Sequence, residues 1–171
     1  MSEHDHEHDH DHAHDDEELE AAVAEEEAEV RRRFALAQIR QYGDVALRMR
    51  AHDITEFDDD LRRLFVFEPD EDGPRALVNP VIVDRSDETE PDEEGCLSLQ
   101  GVRVPVDRAT RIVVEGKDEN GQDVRYELEG YAARVAQHEF DHLDGVLIID
   151  RTDDEHRKGA LAVLRPRAVL R

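Results

Sequence analysis

The chain has 171 residues, with 45 Asp and Glu against 22 Lys and Arg, a formal net charge of −23 and a single cysteine. That length supports one domain with a real core, while the acidic balance argues against DNA binding by the whole surface and a lone cysteine excludes an internal disulfide. No stretch approaches the roughly twenty apolar residues of a membrane span, and the N-terminus lacks the basic and apolar regions of a signal peptide, so a cytoplasmic protein without membrane contact is expected.

The charge is unevenly spread. Residues 1–29 hold fourteen Asp and Glu and no Lys or Arg, which is −14 of the −23 and leaves −9 for the rest. Histidine alternates with Asp or Glu from His4 onward, and the apolar content is too low to offset the entropy of ordering the segment. Residues 1–30 are therefore expected to form an acidic, His-rich tail, disordered to about residue 15 and helical from Glu17 to Arg33, where Leu19, Ala22, Val23 and Val30 give a weak stripe. A solvated, charge-repelling extension is favoured over a metal-buffering one, because a flexible tract lacks the geometry that metal selectivity needs.

A folded domain is expected over 31–152. Tyr42-Gly43-Asp44 signals a turn, and Asp58, Asp59 and Asp60 place N-terminal charge before Leu61 and Leu64 as for a short helix. Leu64 to Phe67 reads as a buried strand halted by the turn material Glu68 to Pro74. Ala76 to Val83 is a second strand, interrupted by Asn79 and Pro80 and so placed at an edge or bulged at Pro80. Acidic residues 87–94 read as a loop leading to a strand at Cys96. Val102, Val104 and Val106 alternate with Arg103 and Pro105 and predict one buried face.

Arg111–Glu115 and Val124–Glu129 flank Asn120-Gly121, the signature of a hairpin tip, with Val124, Tyr126 and Leu128 facing inward. After Gly130 the apolar period changes to about 3.6, placing Tyr131, Val135, His138 and His142 on one inward stripe of a helix that Asp144-Gly145 ends. Val146 to Ile149 suggests one more short strand, and residues 153–171, with Arg157, Lys158, Arg165, Arg167 and Arg171, a basic C-terminal tail. The fold class is α+β, with mostly antiparallel sheets packed around the C-terminal helix that carries His138 and His142.

Two motifs carry chemistry. In Gln137-His138-Glu139-Phe140-Asp141-His142-Leu143-Asp144-Gly145 the histidines stand at i and i+4, one turn apart on the same helical face, so both imidazoles can reach one metal ion with Glu139 beside it. The bland alternative is a pair of solvated histidines. Glu94-Gly95-Cys96-Leu97-Ser98 holds the one cysteine, whose options are buried filler, reactive thiol or metal ligand. Cys96, His138 and His142 together make three protein ligands and leave a fourth tetrahedral position open, the arrangement of a catalytic site.

These two segments, in this order, together with Leu77-Val78-Asn79-Pro80 and the hairpin, resemble the peptide deformylase family over roughly residues 34–152. The resemblance implies removal of the formyl group from N-formylmethionyl nascent peptides. It implies Cys96, His138 and His142 as ligands of Fe²⁺, with Zn²⁺, Ni²⁺ or Co²⁺ as substitutes; ligand softness by itself suggests Zn²⁺. It further implies Glu139 as general base and then general acid, and the backbone N–H of Leu97 as an oxyanion donor. Tyr131 and Val135 are candidates for the methionine pocket, Arg103 for a peptide contact or a solvated position, and Asp141 for orienting a histidine or capping backbone. A ribosome contact through the basic C-terminus is known in some members.

The family's third motif, G-x-G-x-A-A-x-Q, has no match between Asp58 and Pro74. Leu61-Arg62-Arg63-Leu64 runs straight into Phe65-Val66-Phe67, as if about twenty-odd residues had been removed. That motif's glutamine supplies an oxyanion donor, so impaired activity is expected, and a metal-binding homologue without activity is the alternative. A third reading is a zinc peptidase whose remaining ligand is a downstream carboxylate such as Glu155.

Overall fold

The computed structural model describes Glu25, residues 39–53, 63–68 and 73–165. The expected helix from Glu17 and the short helix from Asp58 lie outside those residues, apart from Glu25, which is helical. Arg40–Arg171 form one compact unit. None of the described helices is long and apolar enough to cross a membrane.

Among the described residues from Ile39 onward, six strands and two α-helices follow in chain order: β1 (Leu64–Phe67), β2 (Arg75–Arg85), β3 (Thr89–Gly95), β4 (Arg103–Ala109), β5 (Arg111–Lys117), β6 (Asp123–Glu129), α1 (Gly130–Leu143) and α2 (Asp154–Leu164). Strands β1-β2-β5-β6 make one antiparallel sheet in that order, and β3-β4 make a second. The α+β architecture is as expected. The β5–β6 hairpin pairs Lys117 with Asp123 across its tip, as the Asn120-Gly121 signal predicts.

Strand β2 is interior rather than at an edge, and it carries the irregularity that Asn79-Pro80 foretells. Asn79 has φ +48°, a left-handed conformation that asparagine tolerates, and the register with β5 shifts between Val78 and Val81. Three expectations are corrected. The acidic segment 87–94 is mostly strand β3, paired residue for residue from Thr89↔Ala109 to Gly95↔Arg103, and Cys96 stands in the turn after it. Val146–Ile149 is not a strand; Ile148–Asp150 form a 3₁₀ turn, in which the Asp150 carboxylate accepts from the Leu147 N–H at 2.9 Å. Residues read as a basic tail contain α2, capped where Asp153 accepts from the His156 N–H at 2.8 Å and carrying Asp154 and Glu155 in its first turn.

Two apolar clusters result. Phe65, Phe67, Leu77, Ile112, Val114 and Leu128 of the large sheet bury against Ala133, Ala136, Phe140 and Leu143 of α1. Leu99, Val102, Val104 and Val106 pack with Leu147, Ile148, Ile149 and Ala160, with Cys96 at the margin. The inward stripe of α1 is thus Ala133-Ala136-Phe140-Leu143, at spacings of three and four, and not the stripe that begins at Tyr131, which is 80% exposed. The histidines occupy the flank of α1.

Helix α1 ends where Gly145 adopts φ +71° and the Val146 N–H reaches back to the Asp141 carbonyl at 2.8 Å. A side chain at 145 would collide with the Arg48 backbone at 2.7 Å, so Arg48 and Met49 lie directly against this helix end. The Ala51 N–H donates to the Leu143 carbonyl at 2.7 Å, and buried Arg63 donates to the same carbonyl and to Asp144.

Candidate metal centre

Strand β3 delivers Cys96 and helix α1 delivers His138 and His142 to one place. Cys96 Sγ lies 3.3 Å from His142 Nε2, which lies 3.1 Å from His138 Nε2, and the three donor atoms are all within 4.8 Å of one another. Metal–nitrogen and metal–sulfur bonds near 2.1 and 2.3 Å place tetrahedral donors about 3.4–3.7 Å apart, so the set fits one divalent cation. All three residues are half-buried. Among the described residues they form the one group of three or more Cys, His, Asp and Glu with this convergence, and Glu155, exposed on α2, is outside it. Glu139 is half-buried beside His138, and Leu97, 63% exposed, follows Cys96 directly.

Behind the donors lies a chain of buried charges. Glu94 Oε2 lies 3.0 Å from His138 Nδ1. The Arg108 guanidinium donates to both Glu94 oxygens at 2.9 Å and to Asp141 at 2.6 Å. Arg134 donates to Glu94 at 2.9 Å and to the Val106 carbonyl at 2.8 Å, and Arg151 closes on Asp141 from the other side at 2.5 and 3.0 Å. Asp141 therefore serves neither of the two uses expected of it: it binds two arginines. Arg103 is exposed on β4 opposite Gly95.

The electrostatics follow from this packing. Burial works against ionisation of Glu94, but hydrogen bonds from Arg108 and His138 outweigh it and hold the carboxyl at about 2. Burial likewise pushes the Cys96 thiol up, yet hydrogen bonds from His138 and His142 bring it down to about 6. Burial pushes His138 down, and Cys96 and Glu94 overcome it, raising the imidazole to about 9. The donors thus form a thiolate beside an imidazolium.

Sequence reasoning missed the contributions of Glu94, Arg108 and Arg134. Only Glu94 lies within a motif; a buried arginine pair 26 positions apart has no local signature.

The profile of the polypeptide deformylase family matches residues 61–158. The chain belongs to that family. It is 42% identical over 147 positions to the peptide deformylase of Thermotoga maritima, covering 70% of this chain and 89% of that one. It is 41% identical over 157 positions to the peptide deformylase of Acidothermus cellulolyticus, covering 77% and 87%. The crystal structure of the Thermotoga maritima enzyme superposes with a TM-score of 0.64 over 68% of this chain and 97% of that one. That of Arabidopsis thaliana peptide deformylase 1B, in complex with an inhibitor, superposes with a TM-score of 0.68 at 31% identity over 74% and 87%.

Both alignments have more positions than this chain has residues in them. Seventy per cent of 171 is about 120, against 147 positions, and 77% is about 132, against 157. About 27 and about 25 positions of the deformylase family members therefore face no residue here.

Proposed function

We propose that this deformylase family member removes the formyl group from N-formylmethionyl nascent peptides at a reduced rate, using Cys96, His138 and His142 to hold a divalent metal. The observation that carries the reading is the convergence of one sulfur and two imidazole nitrogens within 4.8 Å, beside Glu139, in a chain of this family. When bound, an iron(II) or zinc ion there would polarise the formyl oxygen and make an adjacent water more acidic. Family resemblance favours iron and the donor set suits zinc.

The chain's own groups do the rest. Glu139 takes a proton from the attacking water and passes it to the leaving amine, a base that becomes an acid. The Leu97 N–H donates to the oxygen on which negative charge develops. Glu94 holds His138 by its Nδ1 and leaves Nε2 for the cation. The basic residues at and beyond the end of α2 are the surface proposed for ribosome contact, and a cytoplasmic location accords with such a substrate.

The reduced rate rests on the positions with no counterpart here. We place them before β1, where the family's G-x-G-x-A-A-x-Q glutamine and cleft wall would stand. Loss of one oxyanion donor lowers turnover about 10²- to 10³-fold. Metal content and formyl-Met peptide hydrolysis, measured anaerobically on one iron-loaded sample, test the reading. The expected result is close to one metal per chain and weak turnover that Glu139→Gln abolishes. Metal without turnover above that variant leaves a metal-binding protein without the activity, and full metal content in Cys96→Ala removes the proposed ligand set.

A further inference from the structure

The turn that bears Leu97 is held from outside by the N-terminal segment. The Leu99 N–H closes it on the Cys96 carbonyl at 3.0 Å, making Leu97 and Ser98 its two central residues. The peptide between them is the part of a β-turn free to flip, because its carbonyl takes no part in the closing bond. Here the Gln41 side-chain amide donates to that carbonyl, Leu97 O, at 3.3 Å, and the neighbouring Tyr42 N–H donates to Ser98 O at 2.9 Å. Two consecutive residues thus grip two consecutive carbonyls some 56 positions along the chain. Leu97 itself contributes little anchorage, since its side chain is 63% exposed.

The gripping segment is itself shaped by its sequence. Gly43 takes φ +105°, and the Asp44 carboxylate accepts from the Ala46 N–H at 2.9 Å, which starts the 3₁₀ turn Val45–Arg48. Farther on, Ala51 and Arg63 tie to the end of α1, which carries both histidines. The segment therefore spans from the cysteine turn to the histidine helix.

We propose that Gln41 is a positioning residue: its amide clips the Leu97 carbonyl, fixing the Cys96–Leu99 turn so that the Leu97 N–H keeps a constant aim at the reacting formyl group. The peptide bond is planar and trans, so the N–H of the Cys96–Leu97 peptide points opposite to Cys96 O. With Cys96 O fixed by Leu99 and Leu97 O by Gln41, the peptide planes on both sides of Leu97 are set, and the donor's direction with them.

The catalytic part of this inference rests on the deformylase reading, and the test keeps the two apart. Gln41→Leu removes the donor from an exposed position, and Gln41→Lys restores an N–H donor of similar length. On iron-loaded protein and a formyl-Met peptide, Gln41→Leu lowers kcat about tenfold while KM and metal content stay within about twofold, and Gln41→Lys recovers most of the loss. On the zinc-loaded protein, hydrogen exchange of the Leu99 amide, which closes the turn, speeds up about tenfold in Gln41→Leu and reverts in Gln41→Lys. If the wild type shows no turnover, the deformylase reading fails and the exchange measurement alone decides whether the clip exists. An unchanged Leu99 exchange rate in Gln41→Leu overturns the clip; a kcat within twofold of wild type overturns its bearing on catalysis.

Discussion

Glu94 and His138 are joined side chain to side chain, Oε2 to Nδ1 at 3.0 Å, across the seam between strand β3 and helix α1. The carboxylate stands two residues before Cys96, so one strand end brings the thiol to the cluster and also holds the imidazole of His138. An ionised partner on Nδ1 fixes the tautomer that leaves Nε2 free for a cation and makes it more basic. Replacing Glu94 by Gln keeps the shape and removes the charge. The expected outcome is metal affinity lowered about 10- to 100-fold, read by competition with a chromophoric chelator. Unchanged affinity would mean that His138 is oriented by other means.

The same carboxyl governs acid stability. Glu94 is held at about 2 in the folded protein against an ordinary 4.5. A depressed carboxyl contributes stability that is fully present above the unfolded value and is lost as pH falls toward the folded one. The contribution is on the order of 3 kcal/mol, since each unit is worth about 1.4 kcal/mol. Urea midpoints at fixed pH should therefore fall steeply between about 4.5 and 2, and the Glu94→Gln protein should lose much of that slope. Parallel acid limbs in the two proteins would refute the assignment.

Arg108 bridges Glu94 and Asp141, all three being buried. Its removal takes away the guanidinium that the Glu94 and Asp141 carboxylates share. Breaking a buried pair from one side costs about 3–5 kcal/mol, far more than an exposed ion pair is worth. Arg108→Met should accordingly lower the denaturation midpoint severely. By contrast, Arg125→Met, which breaks the exposed pair with Glu115, should change stability by less than about 1 kcal/mol. Equal effects of the two substitutions would contradict the burial argument.

In the metal-free protein the Cys96 thiol, lowered to about 6, is ionised at neutral pH, with His138 protonated up to about 9. Thiolate absorbance near 240 nm, followed with pH on chelator-treated protein, should rise with a midpoint near 6, and iodoacetamide should modify Cys96 on the same curve. His138→Ala removes one of the two imidazoles that lower it and should move the midpoint up toward the ordinary 9. Added zinc should protect the thiol throughout that range. A wild-type midpoint near 9 would show that the imidazoles do not face the sulfur.

Much of the architecture was legible where burial imposes a period. Val104 and Val106 alternate with exposed or half-buried neighbours because one face of β4 is covered, and the β5–β6 hairpin announces itself at Asn120-Gly121. Strand β3 was not legible, since Glu90, Asp92, Glu93 and Glu94 disfavour strands locally. Pairing with β4 and the grip of Arg108 and Arg134 on Glu94 override that preference. Basic residues at Arg157, Lys158 and Arg165 mask helix α2 in the sequence, although Asp153 followed by Asp154 and Glu155 is a helix start. At the site the histidine spacing and the lone cysteine were legible because they are properties of one helix and of composition. The arginine network was not, because residues 14 and 40 positions from Glu94 meet only in the fold.

The junction ahead of β1 offers the most direct test of the proposed rate deficit. Phe65 and Phe67 bury their rings against Phe140 and Tyr126, and Leu64 pairs with Val78, so β1 begins at Leu64. An insertion must therefore stand before Leu64 and leave Arg63, which grips Asp144 and the end of α1, in place. Grafting a segment of about 27 residues that carries the family's G-x-G-x-A-A-x-Q between Arg62 and Arg63 should raise kcat at least tenfold. Much of the 10²–10³ of one oxyanion donor should return if the graft folds as in the donor protein. The same graft with its glutamine changed to Leu separates donor from wall: recovery in both would assign the deficit to the missing cleft, and recovery in neither would remove the segment as its cause.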